Sequence, residues 1–269
     1  MNATLLKENP LLLLITIQAY AVNDLVVEPD IKQLILDNID LLKQIKPEDA
    51  YKEFKKIMTT VHPDRYIREF KEVFFELIPG LKGTYNFNQN NKWHIYDVFE
   101  HTMHVIDNTD CDSAALRIAA LFHDLGKPSA YTKEEKQKED GTTYTVGHFY
   151  GHNIKSNIFF NEFAKTMHIP EEERKLISKL IIYHDYHLSL KPEKIQEYID
   201  DLGAENIPLL FALKRADNLA QNPELTKTVL EELDECEKVF MEYISKIPKK
   251  EEPEEPVKKK LIKWIIFSK

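Results

Sequence analysis

The apolar residues of this 269-residue chain recur at three- and four-residue spacing along most of its length. This is the period of helices with one buried face, and no segment shows the sustained alternation that is typical of strands. We therefore predict an all-α fold. The helices are expected near residues 10–22, 30–45, 47–58, 63–76, 93–107, 113–125, 151–167, 171–187, 192–202, 208–221 and 223–246.

Polar segments interrupt this pattern and suggest the organisation of the chain. Residues 133–140 are charged and are followed by Gly-Thr-Thr-Tyr-Thr-Val, which predicts a short hairpin or flap. Three regions result: an N-terminal helical region at 1–75, a main helical domain at 76–246, and a charged linker with a basic amphipathic segment at 247–269.

The two ends of the chain invite a membrane interpretation. The apolar run at 11–17 is too short to span a bilayer, and it lacks the positive flank of a signal peptide, so we predict a buried first helix after Pro10. No transmembrane segment is expected. The C-terminal segment mixes Lys with Leu, Ile, Trp and Phe, so it can lie on an anionic membrane surface or dock on its own domain or a partner subunit.

Charge and cysteine content indicate which partners, compartment and metal ligands to expect. The net charge of −9 does not favour nucleic acid as a partner, although local basic patches remain an option. The two cysteines show no CxxC spacing, which indicates a reducing, cytoplasmic compartment and argues against thiolate metal ligands. The oligomeric state is not indicated by the sequence.

Candidate chemistry begins at His123 and Asp124, which follow the apolar run Ala-Ala-Leu-Arg-Ile-Ala-Ala-Leu-Phe. A buried carboxylate needs hydrogen-bonding partners or a cation, because its desolvation is costly. Arg215 does not satisfy the second buried acid, Asp217, because residues two apart on a helix do not face each other. Side chains suited to one metal centre occur in the order His101, His123, Asp124, His152, His184 and Asp217.

This set of imidazoles and carboxylates suits a divalent cation such as Mn, Fe, Co, Ni, Zn or Mg. Each residue taken alone is equally well explained as an ordinary core or surface side chain, and the ordered set carries the hypothesis. Asp124 can use both oxygens and bridge two cations. We therefore expect one or two divalent metals per chain.

Two further residues are candidates for the reaction itself. His94 shares a helical stripe with His101 and could contact substrate or orient a ligand. Lys127 is expected at the rim of the site, where it could hold a phosphoryl oxygen, and the alternative is a solvated lysine at a helix end. Three neighbours are expected at the periphery or in solvent: His148, Asp185 and His187.

At these residues the sequence resembles the HD superfamily of metal-dependent phosphohydrolases, and it is more closely similar to the HD module of bacterial CCA-adding tRNA nucleotidyltransferases. The resemblance covers about 76–222. It is carried by His-Ile-Tyr-Asp-Val-Phe-Glu-His-Thr from His94, Arg-Ile-Ala-Ala-Leu-Phe-His-Asp-Leu-Gly-Lys-Pro from Arg117, Phe-Tyr-Gly-His at 149–152, Ile-Ile-Tyr-His at 181–184 and Ala-Asp at 216–217.

The resemblance implies a specific ligand set. One metal would be held by His101, His123, Asp124 and Asp217, and a second by His152 and His184 with Asp124 bridging. It also implies hydrolysis of nucleotide-type phosphomonoesters or of 2′,3′-cyclic and other phosphodiesters. Because 75 residues cannot hold a nucleotidyltransferase head, CCA addition is not expected, and inherited tRNA binding is not favoured.

We expect a metal-dependent phosphohydrolase in which a metal-activated water attacks a small phosphate ester. The expected catalytic residues are Asp124, Lys127 and His94. The sequence is also compatible with two other functions: a helical RNA- or protein-binding module with a vestigial metal site, and an HD-type oxygenase with a di-iron centre.

Overall fold

The computed structural model describes residues 2–110 and 112–247. Within them the chain forms two strands, two short 3-10 helices at Ile39–Gln44 and Ala204–Asn206, and fifteen α-helices. The α-helices are α1 (Ala3–Glu8), α2 (Leu12–Val22), α3 (Pro29–Leu36), α4 (Pro47–Met58), α5 (Pro63–Glu69), α6 (Lys71–Leu77), α7 (Pro79–Lys82), α8 (Val98–Asp107), α9 (Ala114–Phe122), α10 (Lys127–Ala130), α11 (His152–Thr166), α12 (Glu171–Tyr183), α13 (Pro192–Leu202), α14 (Ile207–Leu219) and α15 (Pro223–Lys246).

The all-α prediction is confirmed, and so are the bounds predicted for α4, α13 and α15. The helix predicted over 93–107 begins only at Val98, so this boundary is corrected. The reason is a cap: Asp97 has an extended backbone, and its Oδ1 accepts a hydrogen bond from the Glu100 N–H at 2.8 Å. Residues 93–97, including His94, therefore lie in irregular backbone before the helix.

The predicted hairpin is present. Strands β1 (Thr132–Gln137) and β2 (Thr143–His148) pair antiparallel, with Thr132 opposite His148. The first strand is exposed along its whole length. The hairpin leads directly from α10 into α11, so its base lies beside the predicted metal ligands.

The apolar run near the N-terminus forms the buried helix α2, as predicted, and Leu13, Leu14 and Ile17 are fully buried. Among the described residues, no helix has the length and apolar character needed to cross a membrane. The amphipathic segment predicted within 247–269 lies outside the described residues, except for Ile247.

The core is organised around α9, which contacts α4, α8, α11, α12 and α14. Its residues Ile118 to Phe122 are fully buried, as expected for a helix that is apolar on every side. The Phe122 ring packs against the rings of Phe160 and Phe163 on α11. His123 and Asp124, which follow the end of this central helix, therefore lie in the middle of the molecule.

The N-terminal helices share this core. Buried Arg117 on α9 donates to the Met58 carbonyl at 3.1 Å and to the Thr109 carbonyl at 3.0 Å, which joins the end of α4 to the central helix. Helix α6 runs across the boundary predicted between residues 75 and 76. The division into domains at that point stays a prediction.

Candidate metal centre

The six predicted ligands meet at one point, although they come from five helices or helix ends. His101 lies on α8, His123 and Asp124 follow α9, and His152 opens α11. The remaining two ligands are His184 at the end of α12 and Asp217 on α14. All four imidazoles and Asp124 are buried, and the Asp217 side chain is 15% exposed.

Asp124 divides the four histidines into two pairs. Its Oδ2 lies 3.3 Å from His101 Nε2 and 3.1 Å from His123 Nε2. Its Oδ1 lies 3.2 Å from His152 Nε2 and 3.8 Å from His184 Nε2. Each carboxylate oxygen thus serves a separate pair of imidazoles, which is the arrangement of a carboxylate that bridges two cations.

Asp217 completes the first of these groups. Its Oδ1 lies 3.1 Å from His101 Nε2 and 3.9 Å from His123 Nε2. Arg215 instead contacts Asp234 and Glu237, so it leaves Asp217 to the centre. The prediction that Arg215 is not the partner of Asp217 is therefore confirmed.

Backbone carbonyls set the tautomer of every histidine in the centre. When Nδ1–H donates to a carbonyl, the neutral imidazole presents an unprotonated Nε2. This holds for all four rings: His101 Nδ1 lies 3.2 Å from the Ala220 carbonyl oxygen, His123 Nδ1 2.7 Å from that of Ala120, His152 Nδ1 2.9 Å from that of Phe149, and His184 Nδ1 2.7 Å from that of Ile181.

The inward-facing nitrogens crowd one another as a consequence. His101 Nε2 and His123 Nε2 lie 3.3 Å apart, and His152 Nε2 and His184 Nε2 lie 3.2 Å apart. In the neutral tautomers there is no proton to place between these lone pairs. Neither oxygen of Asp124 accepts a well-aligned hydrogen bond. The arrangement calls for positive charge at its centre, and a divalent cation in each half fits the donors present.

The pKa values also indicate that the centre needs positive charge. Burial disfavours a charged His101, but its contacts with Asp124 and Asp217 prevail and raise its pKa to about 9. Burial also opposes ionisation of Asp124, yet His123 and Lys127 hold its pKa well below the usual range. The pKa of His184 is lowered by burial and by the neighbouring histidines. In the absence of a metal ion, a proton on His101 supplies positive charge to the centre.

The position predicted for Lys127 is corrected. It is 4% exposed and opens α10 within the wall of the site. Its Nζ lies 2.7 Å from Asp124 Oδ2, 2.8 Å from Gln89 Oε1 and 3.4 Å from His94 Nε2. The chain does not leave the helix towards solvent at this point because Gly126 packs directly against α11, with its N–H donating to Ser156 Oγ at 2.8 Å.

His94 reaches the centre from irregular backbone. Its ring meets the ring of His101 edge to face at a centroid distance of 5.2 Å. Burial first, and then Lys127, lower its pKa to about 3, so the ring is neutral near pH 7. Its buried Nδ1 has no hydrogen-bond partner among the described residues.

A cavity of about 330 Å³ opens onto the metal ligands. Its wall includes His148, which matches the peripheral position predicted for that residue, and Asp185. Asp185 is 54% exposed, as expected for a residue at the periphery, and it also lines the cavity, with its Oδ2 3.8 Å from His152 Nδ1. His187 lies in a different cavity and is exposed, as expected.

Two residues of the site gave no signal in the sequence. Gln89 is fully buried in the connector before α8 and binds Lys127. Lys214 Nζ donates to the carbonyl oxygens of His184 at 2.6 Å and Tyr186 at 2.8 Å, which fixes the backbone that carries the ligand. Both act through long-range contacts that no local spacing reveals.

Comparisons with known proteins agree with this geometry. The "Multifunctional CCA protein" of Shewanella frigidimarina is 28% identical over 192 residues, which cover 69% of this chain and 42% of that protein. Those of Mannheimia succiniciproducens and Pasteurella multocida are 26% and 28% identical over 183 residues, which cover 63% of this chain and 41% of each relative. The chain thus spans about two fifths of the length of these relatives.

The family comparison falls on the segment that builds the centre. Residues 93–222 match the model of the HD domain, and this range contains all six ligands described above. Domains of this family bind divalent metals, and the structure brings together histidine and aspartate groups that could hold them. Residues 93–222 are therefore similar to the HD domain, a family that is generally hydrolytic and metal-dependent.

Proposed function

We propose that this chain hydrolyses small nucleotide-type phosphate esters, either monoesters or diesters such as 2′,3′-cyclic ones, with two divalent cations. One observation carries the proposal: the two oxygens of Asp124 face two separate pairs of imidazole nitrogens at 3.1–3.8 Å. Neither oxygen accepts a well-aligned hydrogen bond. Lys127 places one positive charge beside Oδ2, but the lone pairs of four imidazoles also face this buried carboxylate, and a divalent cation in each half would stabilise that arrangement.

The donor set assigns the residues that would hold each ion. His101, His123, Asp217 and Asp124 Oδ2 form one site, and His152, His184 and Asp124 Oδ1 form the other. The second group has fewer protein ligands, so it leaves more room for water and substrate. Bound divalent cations would polarise the phosphoryl group and lower the pKa of the attacking water.

Lys127 and His94 support the reaction from the cavity wall. Lys127 places a cation beside the Asp124 carboxylate, where it can stabilise negative charge that develops on a phosphoryl oxygen. His94 is neutral and lines the same cavity, and its Nε2 lies 3.4 Å from Lys127 Nζ, so it can orient the lysine towards the ester. Gln89 holds the lysine in place by accepting from Nζ at 2.8 Å.

The size of the cavity supports a small substrate. At about 330 Å³ it lies at the low end of ligand pockets, which suits a phosphate and the sugar next to it. The net charge of −9 disfavours a long nucleic acid backbone. We therefore propose a small phosphate ester as the substrate and expect weak tRNA affinity.

The test is phosphate release from AMP and p-nitrophenyl phosphate, and conversion of 2′,3′-cyclic AMP to a 2′- or 3′-monophosphate, with chelated protein reloaded with Mn, Co, Ni or Mg. The wild-type chain should release phosphate or open the cyclic ester only with metal, and Asp124→Ala should be inactive. Asp200→Ala, which changes an exposed carboxylate on α13, should retain activity. Absence of hydrolysis with every metal would refute the proposal.

The same preparation separates the two alternatives. A binding module with a vestigial site would bind tRNA tightly at physiological salt and hydrolyse nothing. A di-iron oxygenase would consume oxygen when loaded with iron and would leave phosphate esters intact. We expect neither result.

A further inference from the structure

We propose that Tyr150 is a stacking platform for the nucleobase of the substrate, at the mouth of the cavity that contains the metal ligands. This inference rests on the proposed function, because it names the part of the ester that lies outside the phosphoryl site. Tyr150 lies two residues before His152 and lines the same cavity as Asp124, His184 and Lys127.

The exposure of Tyr150 is unusual for its size. Its side chain is 82% exposed, although it stands at the edge of a site built from buried residues. Two other aromatic residues with exposed surface near the site are partly covered. Lys92 Nζ lies over the ring of Trp93 at 5.6 Å, and the ring of Tyr186 packs edge to face against Tyr183. Tyr150 thus offers a large apolar face to a ligand.

The ring is held in a defined orientation. The His148 ring is nearly parallel to it, with an interplanar angle of 7° and a centroid distance of 5.6 Å. His148 is in turn fixed by Glu134 on the opposite strand, whose Oε2 lies 3.1 Å from Nε2. The anchored His148 ring therefore lies alongside Tyr150 with an offset and leaves most of the Tyr150 ring exposed, and a ring oriented in advance costs less conformational entropy on binding.

The cavity volume indicates which part of the substrate reaches this platform. The cavity of about 330 Å³ extends from Asp124 to Tyr150, so the base of a nucleotide whose phosphate lies beside Asp124 can reach the Tyr150 ring. A planar base can stack on an exposed tyrosine whatever its hydrogen-bonding pattern, because every base has a π-face. We therefore expect ligands with a base to bind more tightly than ligands without one, whichever base they carry.

Binding of two non-hydrolysable ligands tests the platform. They are the phosphonate analogues of AMP and of ribose 5-phosphate, in which carbon replaces the ester oxygen, and they differ only in the base. Calorimetry on the metal-loaded chain should show that the AMP analogue binds at least about fivefold more tightly, the lower range of one stacked base. Tyr150→Ala should remove this preference, and Tyr150→Phe should keep it.

Other outcomes overturn the proposal. Equal affinity of the wild-type chain for the two analogues, or a preference that survives in Tyr150→Ala, would exclude the platform. Because phosphonates are not hydrolysed, this result is independent of turnover. Failure of hydrolysis alone would refute the proposed activity, and absence of a base preference in the wild-type chain alone would refute the role of Tyr150.

Discussion

At the scale of single residues, the centre depends on the protonation pattern imposed by backbone carbonyls. Each of the four histidines has its Nδ1 beside a carbonyl oxygen, at 2.7–3.2 Å. Three of these carbonyls belong to the residue three positions earlier in the chain. The same local hydrogen bond therefore directs the Nε2 atoms of three histidines from different elements towards Asp124.

Lys127 should affect catalysis more than metal binding. Lys127→Met removes a buried cation beside Asp124, and loss of one such electrostatic contact typically lowers kcat by about 100-fold or more. Metal content should be unchanged, because the ammonium group is not a ligand. Steady-state kinetics with metal analysis of the same sample measures both. Lys133→Met on the exposed strand serves as the control, and loss of metal in Lys127→Met would contradict this role.

At the scale of elements, two glycines bring α11 to the centre. Gly151 adopts φ +72°, a left-handed conformation that favours glycine, and it lets the chain pass from the hairpin into α11 at His152. Gly126 allows the turn after α9 to touch α11. A Cβ at Gly126 would lie 2.2 Å from the His152 carbonyl oxygen and 2.5 Å from the Ser156 nitrogen.

Gly126→Ala should therefore destabilise the fold. The added methyl group meets backbone atoms that cannot rotate away, and overpacking of this kind costs roughly 1–3 kcal/mol. Denaturant unfolding measures the loss. Gly83→Ala is the matched control, because its Cβ would approach no atom beyond Gly80 O at 3.5 Å. Equal stabilities of the two variants would contradict the close approach of α11.

Lys214 on α14 is expected to hold the ligand backbone at the end of α12. Lys214→Met removes the donor to the His184 and Tyr186 carbonyls, and loss of such supporting contacts typically weakens metal binding by about 10- to 100-fold. Hydrogen exchange should accelerate in residues 184–190. Lys175→Met, at an exposed position of α12, provides the comparison. Unchanged exchange and unchanged metal affinity in Lys214→Met would exclude this role.

Features that depend on neighbouring residues could be predicted from the sequence, and features that depend on distant residues could not. Apolar spacing predicted most helices. The apolar run before His123 predicted that His123 and Asp124 lie in the core. The start of α8 at Val98 was missed because the Asp97 cap competes with a helical pattern that continues through His94. The burial of Lys127 and the roles of Gln89 and Lys214 depend on partners 30 to 38 residues away, which no local pattern contains.

At the scale of the whole molecule, the N-terminal helices and the helices of residues 93–222 share one hydrophobic core, and the candidate metal ligands are buried beside it. Ions that bind the folded chain should therefore stabilise the entire structure. At a free metal concentration about 100 times Kd the gain is about 2.7 kcal/mol, which corresponds to a rise in Tm of roughly 5–10 °C for a protein of this size.

Thermal unfolding with and without a chelator measures this coupling. The wild-type Tm should fall when metal is removed and should recover when it is restored. Asp124→Ala should show no response, because it lacks the bridging carboxylate. A wild-type Tm that is insensitive to metal would show that the centre is not linked to folding.

The central claim is that one carboxylate bridges two cations, and anomalous scattering from crystals of the Mn-loaded chain tests it most directly. We predict two peaks, one beside His101, His123 and Asp217 and the other beside His152 and His184, with Asp124 between them. Asp124→Ala should lose both. A single peak, two peaks that persist without Asp124, or an ion held only by the exposed group of His62, Asp64 and Asp107 would contradict the account.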